Sequence, residues 1–190
     1  TPGEPLYFTA TSNDGYASLS WSAPYDSDGA YIDHYAVYQD GVEVKRVYQA
    51  SYDGDYRVII TQLTNGIVYE FKVAAHNAAG YGPFTETQTV IPGRTPEAPT
   101  RLLGTPSDKS VTLSWTAPND DGGLPIYEYW IYVNGYQYTS TSFKGITVSG
   151  LINGEYYDIT VAAVNGIGVG ERSASITVMP CSTPGAPGRL

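Results

Sequence analysis

One cysteine among 190 residues, Cys181, excludes a disulfide within the chain, so stability has to come from packing. So low a cysteine count suits a cytosolic protein and equally many bacterial and archaeal surface proteins; the compartment stays open. Basic residues are also scarce. Ten Lys and Arg face nineteen Asp and Glu, for a net charge of −9. No cluster of cations is present to neutralise phosphates, which argues against nucleic acid and anionic membrane surfaces as partners. No apolar run approaches the ~18 residues of a membrane helix, so no membrane insertion is expected. No window sustains the i, i+3, i+4 spacing of a capped helix. Histidine is limited to His34 and His76. No motif joins a nucleophile, a base and an orienting group, and Cys181 follows Pro180 with no base motif near it. No glycine loop opens a helix to cradle phosphate. Neither catalysis nor a cofactor is expected.

What the sequence does contain is a repeat. Leu-Ser-Trp-x-Ala-Pro at residues 19–24 returns at residues 113–118, a shift of 94. Asn-Gly at residues 65–66 returns at residues 153–154, a shift of 88. The first copy is therefore six residues longer, around its fourth strand and the loop after it. Thr-Pro-x-x-Pro opens at Thr1, Thr95 and Thr183. These landmarks divide the sequence into a first module over 1–92, a proline-bearing linker over 93–99, a second module over 100–180, and a further linker with the start of a third repeat over 181–190. Proline fixes φ, so the linker should be semi-rigid and the pair elongated. At 42% hydrophobic and 15% charged residues the chain reads as folded.

Short runs of alternating apolar and polar residues, punctuated by Gly, Asn, Asp and Pro, predict an all-β sandwich or barrel. Seven strands are expected in the first module, over 6–11, 16–22, 32–38, 42–48, 56–62, 67–76 and 84–91. The second module repeats them over 100–105, 110–116, 126–133, 136–141, 145–149, 155–165 and 173–179. Asp40-Gly41 and Asn134-Gly135 supply the positive φ angles of tight hairpins. Period-two alternation turns Tyr69, Phe71, Val73 and Ala75 inward and Glu70, Lys72, Ala74 and His76 outward. Trp21 with Tyr35, and Trp115 with Tyr129, should anchor the two cores.

These anchors resemble the fibronectin type III family over nearly the whole chain. The matching residues are Trp21, Pro24, Tyr35, Leu63 and Tyr69, followed by Asn77-Ala78-Ala79-Gly80-Tyr81-Gly82. The second copy has Trp115, Pro118, Tyr129, Leu151 and Tyr157, followed by Asn165-Gly166-Ile167-Gly168-Val169-Gly170. The resemblance implies two tandem seven-stranded immunoglobulin-like sandwiches. It also makes Tyr69 and Tyr157 tyrosine-corner residues, whose hydroxyls bond to nearby backbone. Residues 120–126 and the Asn-x-x-Gly-x-Gly loops look titin-like. The short third and fourth strands look more like modules of microbial surface proteins and polysaccharide hydrolases, and favour that origin. The family's Arg-Gly-Asp adhesion tripeptide and the Trp-Ser-x-Trp-Ser motif of cytokine receptors are both absent.

Three places invite a functional reading. Trp130 and Tyr132 should lie on the outer face of the second module, extended by Tyr136 or Tyr138, as an aromatic strip for sugar rings or a protein partner. Aromatics favour strands in any case, so the same residues also read as ordinary strand positions. Asp26, Asp28, Asp53 and Asp55 lie in two loops at one pole of the first module. They would suit calcium, or simply make good turns. His34 and His76 both alternate outward at one end of neighbouring strands. Zinc would need a third or fourth ligand, and a surface pair without metal is the simpler reading. The expected role is a non-catalytic, monomeric spacer or scaffold in a larger extracellular or cell-surface protein, with neighbouring modules as its immediate partners. A protein- or polysaccharide-binding adhesion module and a titin-like cytoplasmic scaffold are the alternatives.

Overall fold

A computed structural model describes residues 1–48 and 54–182. The chain separates into two compact units, Thr1–Gly93 and Arg94–Leu190. In the first unit, β1 (Leu6–Asn13), β2 (Tyr16–Ser22) and β5 (Asp55–Ile60) form one sheet in the order β1-β2-β5. The opposing sheet has the order β4-β3-β6-β7, from β3 (Ile32–Gln39), β4 (Val42–Tyr48), β6 (Tyr69–Asn77) and β7 (Gly80–Phe84), and β8 (Gln88–Val90) also pairs with β6. The second unit repeats the plan. Its first sheet runs β13-β10-β9, from β9 (Thr100–Ser107), β10 (Ser110–Thr116) and β13 (Gly145–Ser149). Its second runs β12-β11-β14-β15, from β11 (Glu128–Val133), β12 (Tyr136–Thr141), β14 (Tyr157–Val164) and β15 (Val169–Arg172), with β16 (Ile176–Val178) on β14. Each unit is thus a sandwich of two sheets, and no helix occurs among the described residues.

The cores form where alternation places them. Trp21, Tyr35, Leu19, Val37, Phe71 and Val73 are almost wholly buried. Trp21 meets Tyr35 with ring centroids 5.6 Å apart and stacks on Tyr56 at 6.0 Å. Trp115 meets Tyr129 edge-on at 5.4 Å. The tyrosine corners close as expected. Tyr69 Oη accepts the Thr64 N–H at 3.0 Å, and Tyr157 Oη accepts the Ile152 N–H at 3.0 Å. Both hairpin turns take positive φ, at Asp40 and Gly41 and at Asn134 and Gly135. The turn side chains also brace the next strand. Asp40 Oδ1 accepts the Glu70 N–H, and Asn134 Oδ1 accepts the Asp158 N–H.

The last strand of each sandwich departs from its expected form. It starts earlier, at Gly80 and Val169, and then breaks in two. At the break a side chain replaces a ladder bond: Thr85 Oγ1 accepts the Val73 N–H, and Ser173 Oγ accepts the Val161 N–H, each at 3.0 Å. Thr85 and Ser173 are buried, so these amides have no water to turn to. Ser173→Ala should therefore destabilise the second module by about 1–3 kcal/mol, the cost of orphaning a buried amide. Urea unfolding followed by near-UV circular dichroism reads that loss. A midpoint unchanged from wild type would show that the hydroxyl is dispensable.

The residues between the two sandwiches belong to them closely. The Gly93 N–H donates to the Asn13 carbonyl at 3.2 Å within the first unit. The Arg94 and Glu97 N–H groups donate to the Gly122 and Asp120 carbonyls, both at 3.0 Å, within the second.

Candidate functional site

The outer face of the first module's second sheet carries a row of rings. Strand register explains the row. His34 pairs with His76 across β3 and β6, Tyr48 pairs with His34 across β4 and β3, and Tyr81 pairs with His76 across β7 and β6. Directly opposed residues of antiparallel strands share a face, so four rings line up across four strands. The imidazoles of His34 and His76 stack with centroids 4.5 Å apart. Tyr81 stands edge-on to both, at 5.7 Å from His34 and 4.5 Å from His76. Tyr48 lies 5.7 Å from His34. One turn along, Phe84 packs edge-on against Tyr38 at 4.9 Å, with Lys72 Nζ 4.2 Å over its ring. These large side chains crowd the small residues between them, and Ala36 and Ala74 are fully buried although Ala74 was expected to point to solvent.

Asp33 joins this row through a bulge. The β3–β6 register shifts between Ile32 and His34, and Asp33 is the residue without a partner. Strict alternation would put Asp33 on the face opposite His34. A bulge re-aims the extra side chain, and here both point outward. The Asp33 carboxylate accepts from His34 Nδ1 at 2.6 Å and from His76 Nδ1 at 2.8 and 3.1 Å. His34 Nε2 lies 3.1 Å from Tyr81 Oη. Among the described residues, Asp33, His34 and His76 are the group that brings three metal-ligating atoms within 4.8 Å of one another.

The His76 hydrogen bond, reinforced by that of His34, holds the Asp33 carboxyl below the ordinary aspartate range. A depressed carboxyl stabilises the fold above its unfolded pKa, and the contribution is lost as pH falls through the folded value. Asp33→Asn should accordingly lower the melting temperature of the first module at about pH 6, and the gap to wild type should close by about pH 2. Scanning calorimetry across that range checks it. A gap that persists in acid would assign the loss to geometry rather than to charge.

The second module has no such row. Glu128 pairs with Val164, and Val164 with Val169, at the positions of His34, His76 and Tyr81. The Trp130 indole N–H donates to Glu128 Oε1 at 2.7 Å. Trp130 is half-buried on the outer face, and Tyr132 is buried there beneath Arg172, whose guanidinium carbon lies 3.6 Å from the ring centroid. Tyr136 and Tyr138 do not extend this pair. Tyr136 is opposite the core-facing Val133. Tyr138 falls at a register shift and donates its hydroxyl to the Ser149 carbonyl at 2.6 Å, on the other sheet. The two-residue turn at Asn134-Gly135 pairs Tyr136 with Val133 and Gln137 with Tyr132, so Gln137 rather than either tyrosine shares the outer face with Tyr132.

The acidic loops resolve into turn chemistry at the described positions. Asp26 Oδ1 accepts the Asp28 N–H at 2.7 Å, and Asp28 holds the amino group of Thr1 at 2.7 Å. Ser22 Oγ donates to Asp55 Oδ1 at 2.6 Å, and Asp53 lies outside the described residues. Cys181 is exposed. His34 and His76 were legible as neighbours. Asp33, Tyr48 and Tyr81 were not, because their convergence depends on a bulge and on cross-strand register.

Comparison with known proteins agrees with this architecture. The family model for the fibronectin type III domain matches twice, at residues 2–91 and 97–179. Exoglucanase B of Cellulomonas fimi is 27% identical over 93% of this chain, which spans 17% of that protein. A titin homolog of Caenorhabditis elegans is 25% identical over 82% of the chain, which spans 1% of it. Protein sidekick-1 of Gallus gallus is 27% identical over 93% of the chain, which spans 9% of it. The chain is thus similar to small parts of much longer proteins. Among solved structures, titin domains A168–A170 superpose with a TM-score of 0.64 at 17% identity, over 92% of this chain and 62% of that one. Chicken CNTN1 domains FN1–FN3 give 0.52 at 21% identity, over 94% and 68%. With the twofold family match, two two-sheet sandwiches and both tyrosine corners in place, the chain belongs to the fibronectin type III family.

Proposed function

We propose that these two modules are a non-catalytic spacer or scaffold segment of a larger multidomain protein, monomeric and joined to further modules of the same polypeptide. The observation that carries this reading is that each unit closes its own core while the chain matches only small parts of long proteins. A self-contained sandwich needs no partner to fold, and so serves as a length unit. An extracellular or cell-surface setting is supported by the similarity to an exoglucanase, since polymeric glucan is met outside the cell. A cytoplasmic scaffold is the alternative setting, supported by the similarity to a titin homolog. The test is exchange within the parent protein. Deleting residues 1–182 should impair the parent, and an unrelated pair of fibronectin type III modules should restore it. Failure of the exchange would mean that this segment carries a specific contact.

A second reading is favoured by one observation, the fixing of the Trp130 indole on the outer face by Glu128. A held indole presents an edge to a sugar ring or an apolar partner at little entropic cost. With Tyr136 and Tyr138 turned away, such a contact would rest on Trp130 with Tyr132 behind it. Pulldown on insoluble polysaccharide should then fall with Trp130→Ala. Equal retention of wild type and variant would remove this reading and leave the spacer.

A further inference from the structure

The geometry points to a transition-metal site on the first module, in which Asp33, His34 and His76 together bind one Zn²⁺ ion. Two imidazole nitrogens and one carboxylate oxygen suit Zn²⁺ and its Cu²⁺ and Ni²⁺ neighbours. They do not suit Ca²⁺ or Mg²⁺, which take all-oxygen sets. The three ligand atoms already lie within 4.8 Å of one another. Tetrahedral zinc with bonds of about 2.0–2.2 Å separates its ligand atoms by about 3.3 Å. The present contacts from Asp33 Oδ1 to the two Nδ1 atoms are 2.6 and 2.8 Å, so these two separations have to open by about 0.5–0.7 Å, while the two imidazole nitrogens start within 4.8 Å of each other. The exposed partners are the ones with room to adjust. The side chains of Asp33 and His76 are 47% and 26% exposed, whereas that of His34 is 8% exposed and set between Tyr48, His76 and Tyr81. His34 can act as the fixed ligand on which the other two close.

Proton placement is consistent with this. With Asp33 ionised, each Nδ1 that bonds to it carries the hydrogen. Metal binding needs that lone pair free, so the hydrogen must sit on Nε2. For His34 the tautomer shift has a ready partner: Tyr81 Oη, 3.1 Å from Nε2, donates in one tautomer and accepts in the other. A metal-bound histidine typically gives its second N–H to such an outer group. Neutral rings need only move a proton between their own nitrogens. Protonated rings release one, so binding weakens in acid. The ion would also sit on a module with eleven acidic and four basic residues over residues 1–92. Three protein ligands leave one position to water.

The experiment is a Zn²⁺ titration of the whole chain carrying Cys181→Ser, which removes the single competing thiol. Imidazole ¹⁵N spectra and calorimetry are recorded at about pH 7.5 and about pH 5.5, because protons compete with the metal for its ligands. One equivalent should bind at the higher pH. The Nδ1 signals of His34 and His76 should take the chemical shifts of a metal-bound nitrogen, and binding should weaken at the lower pH. His76→Gln and Asp33→Asn, both partly exposed positions, should keep the fold and weaken binding at least tenfold. Tyr81→Phe, which removes only the outer partner, should weaken it about tenfold, the lower end for such groups. Circular dichroism confirms folding of each variant. No saturable binding below about 1 mM Zn²⁺, or binding that survives both His76→Gln and Asp33→Asn, would overturn the assignment. So would shifts confined to the acidic loops. Because the spacer reading is tested by module exchange in the parent, its failure and the failure of this site are separate outcomes.

Discussion

Trp21→Ala should destabilise the first module by about 3–5 kcal/mol, the usual cost of deleting a large buried aromatic. A module of this size has on the order of 5–14 kcal/mol in total, so the loss is a large share. Trp21 touches the ring of Tyr35 from β3 and the ring of Tyr56 from β5, and so joins the two sheets at their centre. Leu19, Phe71 and Val73 close around it. Alanine would leave a void that a rigid sandwich refills poorly. Trp21→Phe should cost clearly less. The indole N–H has no protein acceptor, so its removal forfeits no hydrogen bond and only part of the ring volume is lost. Native-state hydrogen exchange reads the effect by module. Protection at the Val73 amide should fall in Trp21→Ala, and protection at Val161 should hold, because its core shares no residue with the first. Equal losses for alanine and phenylalanine would refute the packing argument.

Gly170→Ala should destabilise the second module by about 1–3 kcal/mol, the cost of forcing an atom into a filled space. A Cβ there would lie 2.1 Å from the Pro96 carbonyl oxygen, and one at Gly82 would lie 2.2 Å from that of Pro2. Backbone, not a flexible side-chain end, occupies both spaces, so relief requires the chain before the first strand to lift away. The Asn that opens the motif holds that region from below. Asn165 Nδ2 donates to the carbonyls of Arg94 and Asp121, both at 2.7 Å, and its Oδ1 accepts the Ile167 N–H at 2.9 Å. Gly166→Ala is the control, since its Cβ would meet only Leu124 at 3.8 Å. Urea midpoints of the two variants should differ accordingly. Matching midpoints would show that the Pro96 segment is loosely held.

Much of this was written in local pattern. Alternation over residues 69–75 implied which side chains form the core, and Phe71, Val73 and Ala75 are there. Asp-Gly and Asn-Gly specified the two hairpins because positive φ is a property of those residues themselves. The repeated Trp, Tyr, Leu and Tyr spacing carried the sandwich, since a core of this size needs its large side chains at fixed strand positions. The final glycine of Asn-x-x-Gly-x-Gly was visible as a motif, but its reason was not. It is a close approach by backbone many residues earlier in sequence.

The sequence by itself determined two all-β modules, their core anchors and the proximity of His34 and His76. Tertiary structure alone decided what those histidines meet. Alternation assumes an unbroken ladder, and a bulge breaks it at the position that matters: Asp33 turns toward the imidazoles. Tyr48 and Tyr81 reach the same place through pairing across strands. Register is a property of two chains of hydrogen bonds in contact, and no single strand contains it.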